Sequence, residues 1–555
     1  MIEKITFSNY KAFENGYLEL KPITILLGTN SSGKSSIIQF LMMLKQTISN
    51  QNNYESALKL NGKYINLGEI ENVFRNRNTS KNLKFSLKLD NKSNNYFVSD
   101  LKFLKRNVEN EISDLQYQLI KLDERFNYIN NINNSDIRKT KSFEDEDFDV
   151  VQQEIKKLRK KLNKKNLDFS IKPPTNSIGS LRFKEDEIQE LLKKDINELF
   201  DSYTVIKTIV DNYNKIFELE YEIEFDKKLN SLKVIDLCIK NEKKILLQFS
   251  VKNNKGQKKY ILNSEFIENK IFEKYRVAFG RQTYFDKLSL KPSSNNIIDS
   301  IYIRKKFDDN FFCGVVLGIF NFYTNMLTTN FYSDKVNYVS PLRAFPKRYY
   351  FLDESNASNT LDSIDGDSLT EILKKHSSLV LKINKWFEKF GLSVGVEDVK
   401  EVIHRLKINQ NGLSLDITDV GFGISQVLPI IVQGFLSKNN SLTIIEQPEI
   451  HLHPMMQAEL ADLFIDIANS ENNIGKKLII ETHSESLLKR LRRRIAEGKI
   501  SSDDIAIYFV HGRSKKTMSA KIERIEISET GAFDWPQEFY STDFEDTKEF
   551  LKYQP

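Results

Sequence analysis

ITILLGTNSSGKSSIIQFLMML, Ile23 to Leu44, is the stretch whose reading decides the fold. Five residues suited to a buried strand, Ile23 to Leu27, run into Gly28-x-x-x-x-Gly33-Lys34-Ser35, and an apolar-periodic helix follows at once. Glycines at both ends of the loop let backbone N–H groups turn inward on phosphate oxygens, and the helix N-terminus adds its dipole. In this strand–loop–helix setting the motif reads as a phosphate loop in which Gly28, Asn30, Ser32, Gly33, Lys34, Ser35 and Ser36 cradle a nucleotide. Lys34 can bridge the β- and γ-phosphates, and the Ser35 hydroxyl can reach Mg²⁺. A Gly/Ser-rich turn that binds nothing is the alternative, and the flanking pattern argues against it.

Around this loop lie 555 residues, 40% of them hydrophobic, enough for about three domains with substantial cores. The 82 basic and 76 acidic side chains nearly cancel, leaving a net charge of +6, so only a local patch could argue for nucleic acid. Cys238 and Cys313 stand far apart without metal-site spacing, as in a chain from a reducing compartment. The N-terminal MIEKITFSNYKAF lacks a signal-peptide core, and no uninterrupted apolar run approaches ~18 residues. We therefore expect a cytoplasmic chain with no membrane partner.

Outward from the loop, Leu58 to Val98 alternates as antiparallel strands would, with Asn-Gly and Asp-Asn turns. From Leu101 to Lys165 two charged segments carry Leu and Ile at helical spacing around an Asn-rich, acidic stretch, which predicts a short helical hairpin projecting from the core. A solvated amphipathic arm is its ordinary reading. Asp195 to Tyr332 mixes helical and strand-like runs without a motif. The expected organisation is a first lobe at 1–100, an insertion at 101–332, a second lobe at 333–500, and a β-hairpin with a tail at 501–555. At the start of the second lobe, KVNYVSPLRAFPKRYY clusters Arg343, Lys347 and Arg348, a set that suits phosphate, a partner's carboxylates or plain solvent.

Three further stretches follow in order. SLDITDVGFGISQVLPIIVQGFL places Gly421, Gly423 and Ser425 at the start of an apolar helix, a weak anion site by itself. SLTIIEQPEIHLHP sends a strand into Glu446, Gln447 and Glu449, and KKLIIETHSESLLKRL sends another into Glu481-Thr482-His483-Ser484. His451, His453 and Glu449 raise the alternative of zinc, yet histidines two apart after a Pro-Glu turn do not share a helical face as those of H-E-x-x-H do. Turn histidines that shape a subunit interface are the favoured reading.

In this order the motifs resemble the ATPase of the ABC superfamily. The wording E-x-P-E-x-H-L-H-P is similar to the SMC-like branch that includes the overcoming-lysogenization-defect proteins and the Septu-type and retron-associated anti-phage ATPases. The tail GAFDWPQEFYSTDFED resembles a C-terminal domain of uncharacterised role found on some of these ATPases. The resemblance implies an α/β fold: an ABC-type ATPase head, with a P-loop α/β core and an antiparallel β subdomain, split by a large mostly helical insertion. It implies ATP and Mg²⁺ as cofactors, with Ser35 and Glu446 on the metal and His483 reaching the γ-phosphate. Gly421, Gly423 and Ser425 would address the nucleotide of a second subunit in an ATP-dependent dimer or higher homo-oligomer, although Ser425 follows its glycines where the family signature has Ser before them.

Relatives place a glutamate after the Mg²⁺ acid to polarise the attacking water. Gln447 can orient a water but cannot take its proton, so slow hydrolysis is expected, with Glu449 the nearby carboxylate that could compensate. DNA-cutting relatives carry a further metal-dependent nuclease domain. About seventy residues follow His483 here, too few for a hairpin and a ~100-residue domain. The expected partner is therefore a separate nuclease subunit such as an HNH protein, the ATPase acting as its sensor or regulator in anti-phage defence. A DNA-repair or chromosome-maintenance ATPase that binds DNA or a nucleoprotein directly is the alternative. The basic run Leu487 to Arg494 would present the nucleotide state to such a partner, or simply answer the helix dipole.

Overall fold

The computed structural model describes residues 1–49, 56–90, 96–133, 145–163, 195–254, 257–293, 310–351, 368–469, 475–513, 518–536 and 546–553. Two units emerge: Met1–Asp90 with Glu218–Ile235 and Met326–Pro555, and Asn91–Phe217 with Asp236–Asn325.

The first unit is built on a six-stranded sheet. Its order is Val336–Val339, Leu442–Glu446, Lys477–Glu481, Ile23–Gly28, Ile505–His511 and Lys521–Ile525, the first five parallel and the last antiparallel. The inner strands bury every residue, as their unbroken apolar runs require of a parallel sheet covered on both faces. On one face Ile25, Leu27, Ile445 and Ile480 share a core with helices Phe422–Leu436, Pro454–Asn469 and Glu485–Ala496. After the strand Ile23–Gly28 comes the helix Lys34–Ser49, whose Phe40 meets Phe7, Tyr10 and Phe85 of an antiparallel sheet at ring distances of 5.2–5.5 Å. That sheet pairs Phe13–Glu19 with Ile2–Tyr10 and Ile2–Tyr10 with Leu83–Asp90, and the hairpin Glu218–Ile235 extends it. A parallel α/β core carrying the phosphate loop beside an antiparallel sheet is the α/β arrangement expected from the sequence.

Several local expectations are corrected. Among the described residues of Leu58 to Val98 there is no run of strands: Leu83–Asp90 is the one strand, Ile70–Val73 is a 3₁₀ turn, and Tyr96 opens a helix. Leu83–Asp90 lies instead between Ile2–Tyr10 and the strand Ile216–Asp226, both remote in sequence. The hairpin read after residue 500 is present as Ile505–His511 with Lys521–Ile525, but its first strand also pairs directly with Ile23–Gly28, so the core sheet continues past residue 500. The small sheet of the second lobe is an antiparallel meander of Leu392–Lys400, Ile403–Gln410 and Leu413–Asp416, with Tyr350–Phe351 on Ile403–Gln410.

In the second unit the helical pair exists as Tyr96–Asn133 and Asp145–Asn163, tied by Arg159 to Asp123. Val108, Ile112, Leu115 and Leu119 are buried, so this stripe is core rather than the lining of a solvated arm. The unit also holds strands Lys244–Asn254 and Gln257–Asn263. Among the described residues one helix, Phe311–Phe331, is long and apolar enough to cross a membrane, and 72% of that stretch is buried within the protein.

Candidate active site

The C-terminal ends of parallel strands are where open α/β sheets bind ligands, and every motif read from the sequence ends there. Gly28 and Gly33 adopt φ of 147° and 117°, which suit glycine alone. A Cβ on Gly28 would sit 2.5 Å from the Val510 carbonyl oxygen, and one on Gly33 2.9 Å from the Phe13 ring. The loop is thus wedged between its own sheet and the antiparallel one. Lys34 Nζ donates to the carbonyls of Gly28 at 2.9 Å and Thr29 at 3.0 Å, and lies 3.8 Å from Glu481. Burial lowers its pKa, opposed by the charges of Glu481 and Glu449. Ser32 Oγ and His483 Nε2 are buried without a protein partner, and burial followed by the Lys34 charge lowers the His483 pKa. Unsatisfied buried polar atoms are costly, and a phosphate is the group that this loop and these atoms fit together. Asn30 and Ser35 are exposed at the loop mouth, and Ser36 N–H donates to Gly33 O at 3.0 Å.

Glu446 and Glu481 face each other in register on adjacent strands. Both are buried, and Glu446 accepts from the Tyr338 hydroxyl at 2.5 Å. Burial and the Glu446 charge push the Glu481 carboxyl up to about 7, and burial raises Glu446 as well. Ser35 Oγ donates to Glu481 at 3.5 Å. Hard oxygen donors from Ser35 and Glu446 fit Mg²⁺, which keeps several waters and takes one or two carboxylates.

Gln447 begins the turn after the acid strand at φ 45°. Its N–H donates to Glu481 O at 2.7 Å, and Arg343 Nη2 donates to the carbonyls of Glu446 at 2.8 Å and Gln447 at 3.0 Å. Burial pulls the Arg343 guanidinium down to about 10. Arg343 is therefore not a surface cation beside Lys347 and Arg348 but the buried brace of the acid turn. Glu449 does not stand free as a substitute base. Its oxygens accept from Thr482 Oγ1 at 2.8 Å and from the His483 N–H at 2.7 Å, so it ties the acid turn to the histidine strand. The zinc alternative loses its third ligand by the same contacts, and His451 packs edge-on against Phe422 at 4.9 Å.

The glycine turn lies against this turn, since a Cβ on Gly423 would meet the His451 carbonyl oxygen at 2.7 Å. Gly421 caps the helix Phe422–Leu436. Ser425 is buried and donates to Phe422 O at 2.7 Å, so its hydroxyl serves the first turn of its own helix. Tyr338 and Glu481 were missed as site residues. The signal for Glu481 lay in plain view, an acid ending a buried strand beside the phosphate-loop strand; Tyr338 carried none.

The basic run is also revised. Arg490 pairs with Glu459 at 2.7 Å and Asp462 at 2.6 Å, Arg494 with Asp462 and Glu497, Arg493 with Glu497, and Lys489 with Glu485. Arg492 Nε donates to Gly531 O at 3.2 Å and its guanidinium lies over the Phe533 and Trp535 rings at 5.2 and 5.7 Å. Arg490 and Arg494 thus hold two helices together and Arg492 pins the Asp-Trp-Pro segment, while the more exposed Lys489 and Arg493 pair along their own helix.

Three solved structures span nearly all of both chains at low identity: an Smc head bound to the C-winged helix domain of ScpA (10% identity, TM-score 0.37, 95% of this chain and 98% of that one); the SMC head domain from Thermotoga maritima (7%, 0.32, 95% and 99%); and an Smc head with an extended coiled coil bound to the C-terminal domain of ScpA derived from Pyrococcus furiosus (8%, 0.33, 99% and 99%). No curated protein matches the chain. Residues 1–488, from the first strand through the phosphate loop to the start of the helix after His483, match the family described as the AAA ATPase domain, and it is to this family that the chain belongs.

Proposed function

We propose that this ATPase closes as a homodimer over MgATP, hydrolyses it slowly, and in its ATP-bound state directs a separate effector nuclease, as in the overcoming-lysogenization-defect and Septu-type branch that its motifs resemble. The observation that carries nucleotide binding is the buried set around Lys34, with Ser32 and His483 unpartnered where a phosphate would lie. Slow turnover rests on Gln447 in the place of a base and on Glu449 engaged by Thr482 and His483. Bound Mg²⁺ would supply charge neutralisation for phosphoryl transfer. The chain's own residues do the rest: Lys34 and the loop N–H groups bind phosphate, Gln447 orients a water, and the Glu449 tie fixes the backbone of His483 beside it.

Direct DNA binding is not favoured, because the basic helix that suggested it is neutralised by Glu459, Asp462, Glu485 and Glu497. Lys34→Ala is expected to abolish MgATP binding in calorimetry and the ATP-dependent shift from monomer to dimer in sedimentation velocity. Wild-type affinity in that variant refutes the nucleotide reading; binding without a sedimentation shift in the wild type refutes the dimer.

A further inference from the structure

The hydroxyl expected to reach the metal does not lie against the acid expected to share it. Ser35 Oγ contacts Glu481 at 3.5 Å, and Lys34 Nζ lies 3.8 Å from the same carboxyl. Glu446, the acid singled out by the sequence, is directly opposite Glu481 in the parallel register and on the same side of the sheet. Adjacent strands are ~4.8 Å apart, so two acids paired this way bring their carboxyls into contact. Only 7% and 3% of these residues is exposed, and two carboxylates so placed repel, a repulsion that the single Lys34 charge beside Glu481 offsets in part and a bound cation would offset further. Tyr338 occupies one oxygen of Glu446. The Ser35 hydroxyl, at the foot of the phosphate loop, meets the pair at Glu481.

Resting on the nucleotide reading above, we propose that Glu481 is a second carboxylate ligand of the nucleotide-bound divalent metal, acting with Ser35 and Glu446. The role goes beyond the one acid that the strand before Gln447 supplies. It also gives a reason for an acid at the buried end of a central strand, beside the apolar run Leu478 to Ile480, where a carboxylate is costly without compensating charge. Gln447 N–H is bonded to the Glu481 carbonyl, so the metal site and the turn that bears the water-orienting side chain share one backbone contact.

Mn²⁺ can replace Mg²⁺ as a paramagnetic probe. In titrations of the ADP-loaded protein followed by electron paramagnetic resonance, Glu481→Gln is expected to weaken Mn²⁺ about 10–100-fold, the range seen when a supporting carboxylate is lost. ADP affinity in EDTA should stay within about twofold of wild type, because Lys34 and the loop carry it without metal. Mn²⁺ affinity unchanged in Glu481→Gln overturns the proposal. Should that variant fail to fold, the wild type decides: with ¹³C-carboxyl glutamate, electron–nuclear double resonance is expected to show two glutamates coupled to Mn²⁺, and a single one overturns the assignment. A wild type that binds no ADP in EDTA refutes the nucleotide reading itself, a result distinct from either of these.

Discussion

Gln447 holds a left-handed backbone that residues other than glycine and asparagine rarely adopt, and it holds it because both of its peptide groups are engaged, one by Glu481 O and one by Arg343. A substitution that keeps the chain length therefore leaves the turn in place and changes only the chemistry of the side chain. Gln447→Glu is expected to raise kcat by about 10²-fold, the lower end of what a positioned base contributes. Steady-state phosphate release measures it, and an equal or slower rate would show that this position does not address the attacking water. Single residues with a fixed chemical vocabulary are legible in their positions: Lys34 and Ser35 open the helix after the loop, Glu446 ends its strand, and His483 follows one, where the motifs put them. Arg343 and Glu449 were visible but misjudged, since a guanidinium buried against carbonyls and a carboxylate consumed by Thr482 are identical in sequence to a solvated cation and a free base.

At the scale of elements, the buried parallel strands were read correctly because continuous apolar runs leave few alternatives. The failure at Leu58 to Val98 came from the opposite case. There, alternation and an Asn-Gly pair predicted hairpins, but Gly62 closes only an isolated bridge between Asn61 and Asn66, and the strand that does form takes partners remote in sequence. Remote pairing has no local signature. The segment after Val339 joins elements in a way no motif announced: Arg343 braces the acid turn, Phe345 packs on Phe422, and Arg348 bonds Asp419 just before the glycine turn. The tight contact of Gly423 with His451 O closes this circuit. Gly423→Ala would overpack it by about 1–3 kcal/mol. We expect about a tenfold weaker ATP-dependent association in sedimentation, with Lys34-dependent ADP binding retained; unchanged association would mean that the glycine turn takes no part in it.

Across the whole molecule, the charge that looked like a partner surface is instead internal fastening. Asp462 and Glu459, on one helix, receive Arg490 and Arg494 from the next, and both carboxyls are held below their ordinary range, by Arg494 hydrogen bonds at Asp462 and by Lys389 and Arg490 at Glu459, each against the cost of burial. Arg492 adds the C-terminal segment to this assembly. A cation over aromatic rings is worth about 1 kcal/mol, so Arg492→Ala should loosen Phe533 and Trp535 and speed chymotryptic cleavage there roughly fivefold, with ATP binding intact. Unaltered protection would mean that the buried Phe533 alone holds the segment. The division of the chain was less legible than its motifs: Glu218–Ile235 returns to the first unit from the middle of what reads as an insertion, and only pairing in space shows it.

The place of strand Ile23–Gly28 carries one consequence for how the protein is made. Its two neighbours, Lys477–Glu481 and Ile505–His511, are encoded roughly 450–480 residues later. At about 5–20 residues per second, a ribosome needs roughly 20–100 s to deliver them. For that interval the nascent phosphate loop has a helix after it but no sheet on either side, and its strand is an open apolar edge in search of a partner. Nucleotide binding is thus deferred until nearly all of the polypeptide has been synthesised, while the segments encoded between can already fold, and the newborn chain depends on something else to shield that edge.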